Sequence, residues 1–187
     1  VNVVIEILQE NPQPIIKLIK DADKKVIFFT KSLKVVDFVN NWLNQNRIGC
    51  ISITGETADV GEEIQKFKTY DDVDVLVATL QKLSTAVNLV VANTVLFLDL
   101  PYRSADFVQA QDRVYRLGQD TDVYIISMYL DTGSAPNLTT HTQEILQWSR
   151  DVTEALYGKQ QPPDNDEELQ RIYDHVTGMI QGVKFYG

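Results

Sequence analysis

The chain has 187 residues, of which 44% are hydrophobic and 23% charged, and its formal net charge at pH 7 is -9. This composition is typical of a globular domain with a sizeable core, and it excludes a chain that binds polyanions over its whole surface. The single cysteine, Cys50, and two distant histidines exclude a disulfide framework and a cysteine-based zinc site, so we predict no metal site. No apolar run reaches membrane-spanning length and no secretory leader is visible, so we expect an intracellular protein without membrane contact. The first residue is Val, which indicates a fragment of a longer protein.

Apolar runs and helical patterns alternate along most of the chain. A short helix with Pro14 near its start is predicted first, a second is predicted after Ser32, and a third from Val60 to Phe67. The alternation favours an α/β fold, a mostly parallel sheet with helices on both faces. The predicted strands are the five apolar runs at 26–30, 50–54, 73–79, 94–98 and 123–128.

Polar residues stand at the carboxyl ends of these runs, where ligands bind in parallel sheets. They are Thr30, the Thr54-Gly55 pair, Thr79 and Asp99. We expect them to line one edge of the sheet, together with the polar segment that follows the fourth strand. Asp99 is expected either to orient an arginine or to cap the turn before Pro101.

That polar segment contains two arginines. If it is helical, Gln109, Arg113 and Arg116 fall at i, i+4 and i+7, which places them on one face. A guanidinium group is a rigid fork of donors suited to phosphate oxygens, so this face can act as a phosphate clamp. The alternative is a solvated helix face whose arginines pair with Asp106 or Asp112.

After Asp131 the alternation of strand and helix patterns ends, and a loop-like stretch and helical patterns follow. We therefore divide the chain into a lobe at 1–131 and a helical extension at 132–187. The extension is predicted to contain a helix at 142–157, a linker at 158–166 and an amphipathic helix at 167–180. It can pack on the lobe or dock a partner.

The order of these elements resembles the second, carboxyl-terminal RecA-like lobe of superfamily 2 helicase-like ATPases, especially the Swi/Snf type. The strongest match is Gln-Ala-x-x-Arg-x-x-Arg-x-Gly-Gln at 109–119, which is similar to motif VI of that family. Asp99-Leu100-Pro101-Tyr102 resembles an Asp-x-Pro-Trp element, and the strand at 25–29 resembles motif IV. The segment at 82–89 stands where motif V belongs, but it lacks the glycine-rich turn of the family.

The resemblance implies a role for each candidate residue. Arg113 and Arg116 would act as catalytic arginine fingers on the γ-phosphate of ATP, with Gln109 as a polar partner in nucleotide binding. Thr54, Gly55 and Thr79 would contact a nucleic-acid backbone, expected to be double-stranded DNA. For these last three residues, plain turn chemistry at strand ends remains an alternative.

The sequence contains only half of an ATPase site. No Gly-x-x-x-x-Gly-Lys-Ser/Thr loop is present, so ATP and Mg²⁺ would be held mainly by an amino-terminal RecA-like lobe. We therefore expect part of an ATP-hydrolysing helicase or translocase, cytoplasmic or associated with the nucleus or nucleoid, that is inactive as this fragment. The alternative is a non-catalytic RecA-like binding or regulatory module.

Overall fold

The computed structural model describes residues 2–82, 87–101 and 104–128. Five helices and five strands lie in these ranges, and most helices connect consecutive strands. In chain order they are α1 (Asn2–Glu10), α2 (Gln13–Asp21), β1 (Lys25–Thr30), α3 (Leu33–Gln45), β2 (Cys50–Ile53), α4 (Val60–Thr69), β3 (Val75–Thr79), β4 (Ala92–Phe97), α5 (Ser104–Gln111) and β5 (Tyr124–Ser127).

The strands form one sheet in the order β2-β3-β1-β4-β5, and every neighbouring pair is parallel. The register places Thr30 beside Thr79 and Phe29 beside Phe97, so the strands end together at one edge. The predicted RecA-like α/β fold is confirmed. The observed order fits crossover connections, because a parallel neighbour can be reached only over a face of the sheet.

Each face of the sheet carries its own apolar core, as expected for strands covered on both sides. Ile27 and Phe29 face the core that includes α4, whereas Val26 and Phe28 face the core that includes α1, α2 and α3. Every residue of β3 and β4 is buried. The sheet is therefore a rigid platform for the residues at its edges.

Several boundaries differ from the predicted ones. Helix α1 lies in a segment for which the sequence predicted no element, β3 begins at Val75 rather than residue 73, and β4 begins at Ala92 rather than residue 94. Every described helix is too short or too polar to span a bilayer. The predicted extension at 132–187, with its two helices and linker, lies outside the described residues, and the division at residue 131 remains a prediction.

Candidate functional site

A cleft of about 380 Å³ lies at the carboxyl edge of β1, β2 and β3. Gly55 and Thr79, two residues predicted to bind nucleic acid, both contribute to its lining. Two lysines for which the sequence predicted no role, Lys31 and Lys82, line it as well. The Lys31 amine lies 4.0 Å from Oδ1 of Asp99, so part of its charge is offset. The sequence feature that could have indicated these lysines is their position near strand ends. Lys31 directly follows Thr30, and Lys82 comes soon after Thr79.

One carboxylate holds the chain at Lys31, which is one of the residues that line this carboxyl-edge cleft. Asp99 accepts the main-chain N–H of Lys31 at 2.9 Å and also accepts the hydroxyl hydrogen of Thr30. Thr30 is fully buried, and its hydroxyl oxygen in turn accepts the N–H of Ser32 at 3.1 Å. In the described part of the chain Asp99 thus holds the turn between β1 and α3, a role that neither expectation included.

Thr54 shapes a tight turn beside the cleft. Its N–H donates to the Thr57 hydroxyl at 2.9 Å, and its own hydroxyl oxygen accepts the N–H of Glu56 at 3.2 Å. The turn presents Gly55, which is exposed and would have no atom within 4 Å of an added Cβ. Thr79 is only 8% exposed. The structure therefore brings Gly55 and Thr79 to the cleft, while Thr54 supports the turn that carries Gly55.

The prediction that one helix carries Gln109, Arg113 and Arg116 is wrong. Helix α5 ends at Gln111, and a series of turns follows it. In a continued helix the carbonyl of Arg113 would accept the N–H of Leu117, but it accepts the N–H of Leu89 at 2.9 Å instead. This long-range bond replaces the helical one, so the two arginines do not share a helix face with Gln109.

The predicted position of the arginines at the carboxyl edge is also wrong. Residues 112–119, here called the arginine segment, lie beside the residues that lead into the amino end of β4. The Leu89–Arg113 bond shows this, as does the Gln119 side-chain amide, which donates to the carbonyl of Ala92 at 2.8 Å. Helix α5 has carried the chain back along the sheet, from the carboxyl end of β4 towards its amino end.

The arginine segment is anchored by a core residue and presents polar groups around it. Val114 is fully buried, whereas Arg113 is half-buried and Arg116 is exposed. Gln109 is exposed near the end of α5. The fork of Arg116 is therefore accessible to an anion that approaches from outside the lobe. No group of three or more His, Cys, Asp or Glu side chains within residues 2–82, 87–101 and 104–128 is arranged to hold a metal ion.

Comparison with known families identifies the lobe. Residues 10–118, more than half of the chain, match the family of the helicase conserved C-terminal domain. The chain belongs to this family. The match extends from before α2 to Gly118 in the arginine segment, so this C-terminal helicase lobe includes both the cleft and the arginines.

The relatives of this helicase lobe are much longer proteins. The chain is 29% identical over 113 residues to Helicase SWR1 of Saccharomyces cerevisiae, and the match covers 59% of this chain and 8% of that protein. It is 27% identical to the ATP-dependent helicase fft2 of Schizosaccharomyces pombe, over 60% of this chain and 9% of fft2. It is 31% identical over 137 residues to Transcription termination factor 2 of Drosophila melanogaster, over 71% of this chain and 12% of that protein.

A solved structure has the same fold. The C-terminal part of the Fun30 ATPase domain superposes with a TM-score of 0.59, at 22% identity, over 76% of this chain and 53% of that chain. Together with the sequence relatives, this confirms the predicted resemblance to the carboxyl-terminal RecA-like lobe of Swi/Snf-type helicases.

Proposed function

We propose that this lobe is one half of an ATP-driven motor that moves along nucleic acid, with double-stranded DNA as its track. The observation that carries the proposal is the family match over residues 10–118, which spans four of the five strands, the carboxyl-edge cleft and most of the arginine segment. Because the chain covers only 8% to 12% of the three relatives described above, the rest of the motor would lie in other parts of a longer protein.

Arg116 and Arg113 are proposed to act on ATP bound by an amino-terminal RecA-like lobe, which would also hold most of the Mg²⁺ ligands. Phosphoryl transfer gathers negative charge on the γ-phosphate oxygens, and a guanidinium group placed against them stabilises that charge. Arg116 is exposed and Arg113, in the same segment, is half-buried, so the segment would offer guanidinium groups to a nucleotide that is bound outside the lobe. Gln109, exposed on the last turn of α5, would add a neutral hydrogen-bonding group.

The carboxyl-edge cleft is proposed to hold the nucleic-acid backbone. Gly55 leaves room for close approach of a phosphate, and Lys31 and Lys82 supply positive charge in a chain whose net charge is -9. Contacts of this kind do not read base sequence. Thr79 would add its hydroxyl at the cleft wall, and Thr54 would keep Gly55 in place through its turn.

The two proposed sites lie at opposite edges of the sheet, with the cleft at the carboxyl ends of β1, β2 and β3 and the arginine segment beside the amino end of β4. Leu80 to Lys82 line the cleft, and Leu89 bonds to Arg113.

The nucleotide role is tested in a longer chain that contains the amino-terminal lobe. Arg116→Ala is expected to lower DNA-stimulated ATP hydrolysis by about 10³-fold or more, since arginine fingers contribute on that scale. Arg47→Ala, which removes an exposed arginine beyond the end of α3, is the control and should leave turnover unchanged. Equal turnover in both variants would reject the arginine assignment and favour a non-catalytic RecA-like module.

The track role is tested by DNA binding at several salt concentrations. Lys31→Ala and Lys82→Ala should each weaken binding to duplexes of any sequence and reduce the salt dependence of log K by about one. Lys17→Ala, at an exposed position of α2, should change neither quantity. If the cleft variants bind like the Lys17 variant, the track does not run through this cleft.

A further inference from the structure

The arginine segment is fastened to the lobe although the helix has already ended. The carbonyl of Arg113 accepts the Leu89 N–H at 2.9 Å, and the Gln119 N–H donates to the carbonyl of Arg116 at 3.0 Å. Gly118, between Arg116 and Gln119, has φ +99°, a left-handed conformation that favours glycine and reverses the chain. The chain therefore turns back on itself within the segment, and Gln119 lies at the end of this turn.

Both ends of the Gln119 amide are engaged. Its Nε2 donates to the carbonyl of Ala92 at 2.8 Å and to that of Val114 at 3.3 Å. Its Oε1 accepts from the Lys24 amine at 2.8 Å and from the Thr121 hydroxyl at 3.0 Å. Only an amide side chain supplies two donors and an acceptor at this length, so the site is specific for glutamine.

Lys24 completes the connection to the sheet. It directly precedes β1, the central strand, and its amine also donates to the carbonyl of Val90 at 3.3 Å and pairs with Asp120. Its side chain is 23% exposed, whereas that of Asp120 is 77% exposed. One amine therefore links the start of β1, the residues before β4 and the end of the arginine segment.

We propose that Lys24 and Gln119 form a clasp whose task is to position Arg113 and Arg116 for the nucleotide. This inference rests on the proposed function of the two arginines. A displacement of about 1 Å in a catalytic constellation can cost roughly 100-fold in rate. The last helical i→i−4 bond is the one from the Tyr115 N–H to the carbonyl of Gln111, and the turns of residues 116–119 have none to hold them in place. The clasp supplies that constraint from the most central strand of the lobe. Lys24 and Gln119 are thus positioning residues, which act through the arginines.

Two substitutions break the clasp in different ways. Gln119→Glu keeps an acceptor for Lys24 but turns a carboxylate oxygen towards the carbonyls of Ala92 and Val114, where the Nε2 donors were. Lys24→Met keeps a long apolar stem and removes the amine. Lys17→Met is the matched control, because Lys17 is an exposed lysine of α2.

Turnover in the chain with its amino-terminal lobe is the first measurement. Gln119→Glu and Lys24→Met should each lower kcat by about tenfold or more, with a smaller change in the KM for ATP, while Lys17→Met stays at the wild-type level. Lys24→Arg, which keeps a charged donor, should recover part of the loss. In a background that carries both Arg113→Ala and Arg116→Ala, the clasp variants should cause no further loss, since their effect passes through the two arginines.

Amide hydrogen exchange in the 187-residue chain gives an independent measurement without nucleotide. Breaking the clasp should accelerate exchange of the Leu89 N–H, which is bonded to Arg113, and leave amides in the middle of β1 unchanged. Unchanged Leu89 exchange, or clasp variants that turn over normally while Arg116→Ala does not, would overturn the clasp and leave the proposed function intact. Additive losses in the background that lacks both arginines would show a structural role only. Normal turnover of Arg116→Ala itself would overturn the proposed function and the clasp's task with it.

Discussion

The Asp99 carboxylate and the Lys31 main chain join the ends of two neighbouring strands. Asp99 follows β4 and accepts the Lys31 N–H at 2.9 Å through Oδ1 and at 3.2 Å through Oδ2, and the Lys31 amine lies 4.0 Å from Oδ1. The same carboxylate accepts from the buried hydroxyl of Thr30. The part of the cleft wall that follows β1 is therefore held in place by a residue that follows β4.

Removing this carboxylate should destabilise the lobe. Asp99→Ala leaves the Thr30 hydroxyl and the Lys31 N–H without their acceptor, and an unsatisfied buried donor costs about 1–3 kcal/mol. We expect a loss of that size in the free energy of unfolding, measured by urea denaturation. Asp37→Ala removes an exposed carboxylate from α3 and should change stability by about 0.5 kcal/mol or less. Equal stability of the two variants would contradict the anchoring role of Asp99.

Two glycines near β2 are expected to differ sharply in their tolerance of alanine. A Cβ on Gly49 would stand 1.6 Å from the carbonyl oxygen of Asp72, and the neighbouring backbone is fixed because the Gly49 carbonyl accepts from Asp74 and Val75. Gly49→Ala should therefore lower the free energy of unfolding by about 3 kcal/mol or more, since the backbone has to shift. Gly55→Ala adds its methyl group in open space and should stay within about 0.5 kcal/mol of wild type. Thermal unfolding of both variants tests the contrast.

The sheet could be predicted from the sequence because its signal is local. Val26 to Phe29 form a continuous apolar run, and such a run bounded by helical patterns indicates a strand that is buried on both faces. The residues at the strand ends, Gly55 and Thr79 among them, then followed from the geometry of a parallel sheet. The lysines of the cleft were missed because a single Lys after a strand has no periodic signal.

The arginine segment could not be predicted for the opposite reason. The spacing of Gln109, Arg113 and Arg116 fits a helix, but a contact distant in sequence, the Leu89–Arg113 bond, decides the conformation. The partners of Gln119 are likewise remote in sequence, at Lys24 and Ala92. Periodicity describes a segment by itself, whereas these residues are placed by the segments on which they pack.

Arg47 occupies a left-handed conformation, with φ 58°, just after the end of α3. The Ile48 N–H donates to the carbonyl of Leu43 at 3.0 Å, which is the bond pattern of a helix end that normally carries glycine. Arg47→Gly should raise the free energy of unfolding by about 0.5–1 kcal/mol, because glycine adopts this conformation without the steric cost of a Cβ. Arg47→Ala keeps the Cβ and should give no gain. If urea denaturation shows Ala to be as stabilising as Gly, relief of backbone strain is not the cause.

The pair of Lys24 and Asp120 should make stability depend on pH in acid. The hydrogen bond from Lys24 lowers the pKa of Asp120 from its ordinary value in the folded chain. The stabilisation is therefore fully present above the ordinary Asp pKa of about 3.9, and it is lost as the pH falls through the lowered pKa of the folded state, because the unfolded chain binds the proton first.

Asp120→Asn should accordingly lower the Tm at neutral pH and have a smaller effect in strong acid. The difference should shrink in high salt, since Asp120 is exposed, and should vanish in a Lys24→Met background. A pH-independent difference between wild type and Asp120→Asn would mean that the pair contributes through packing rather than through charge.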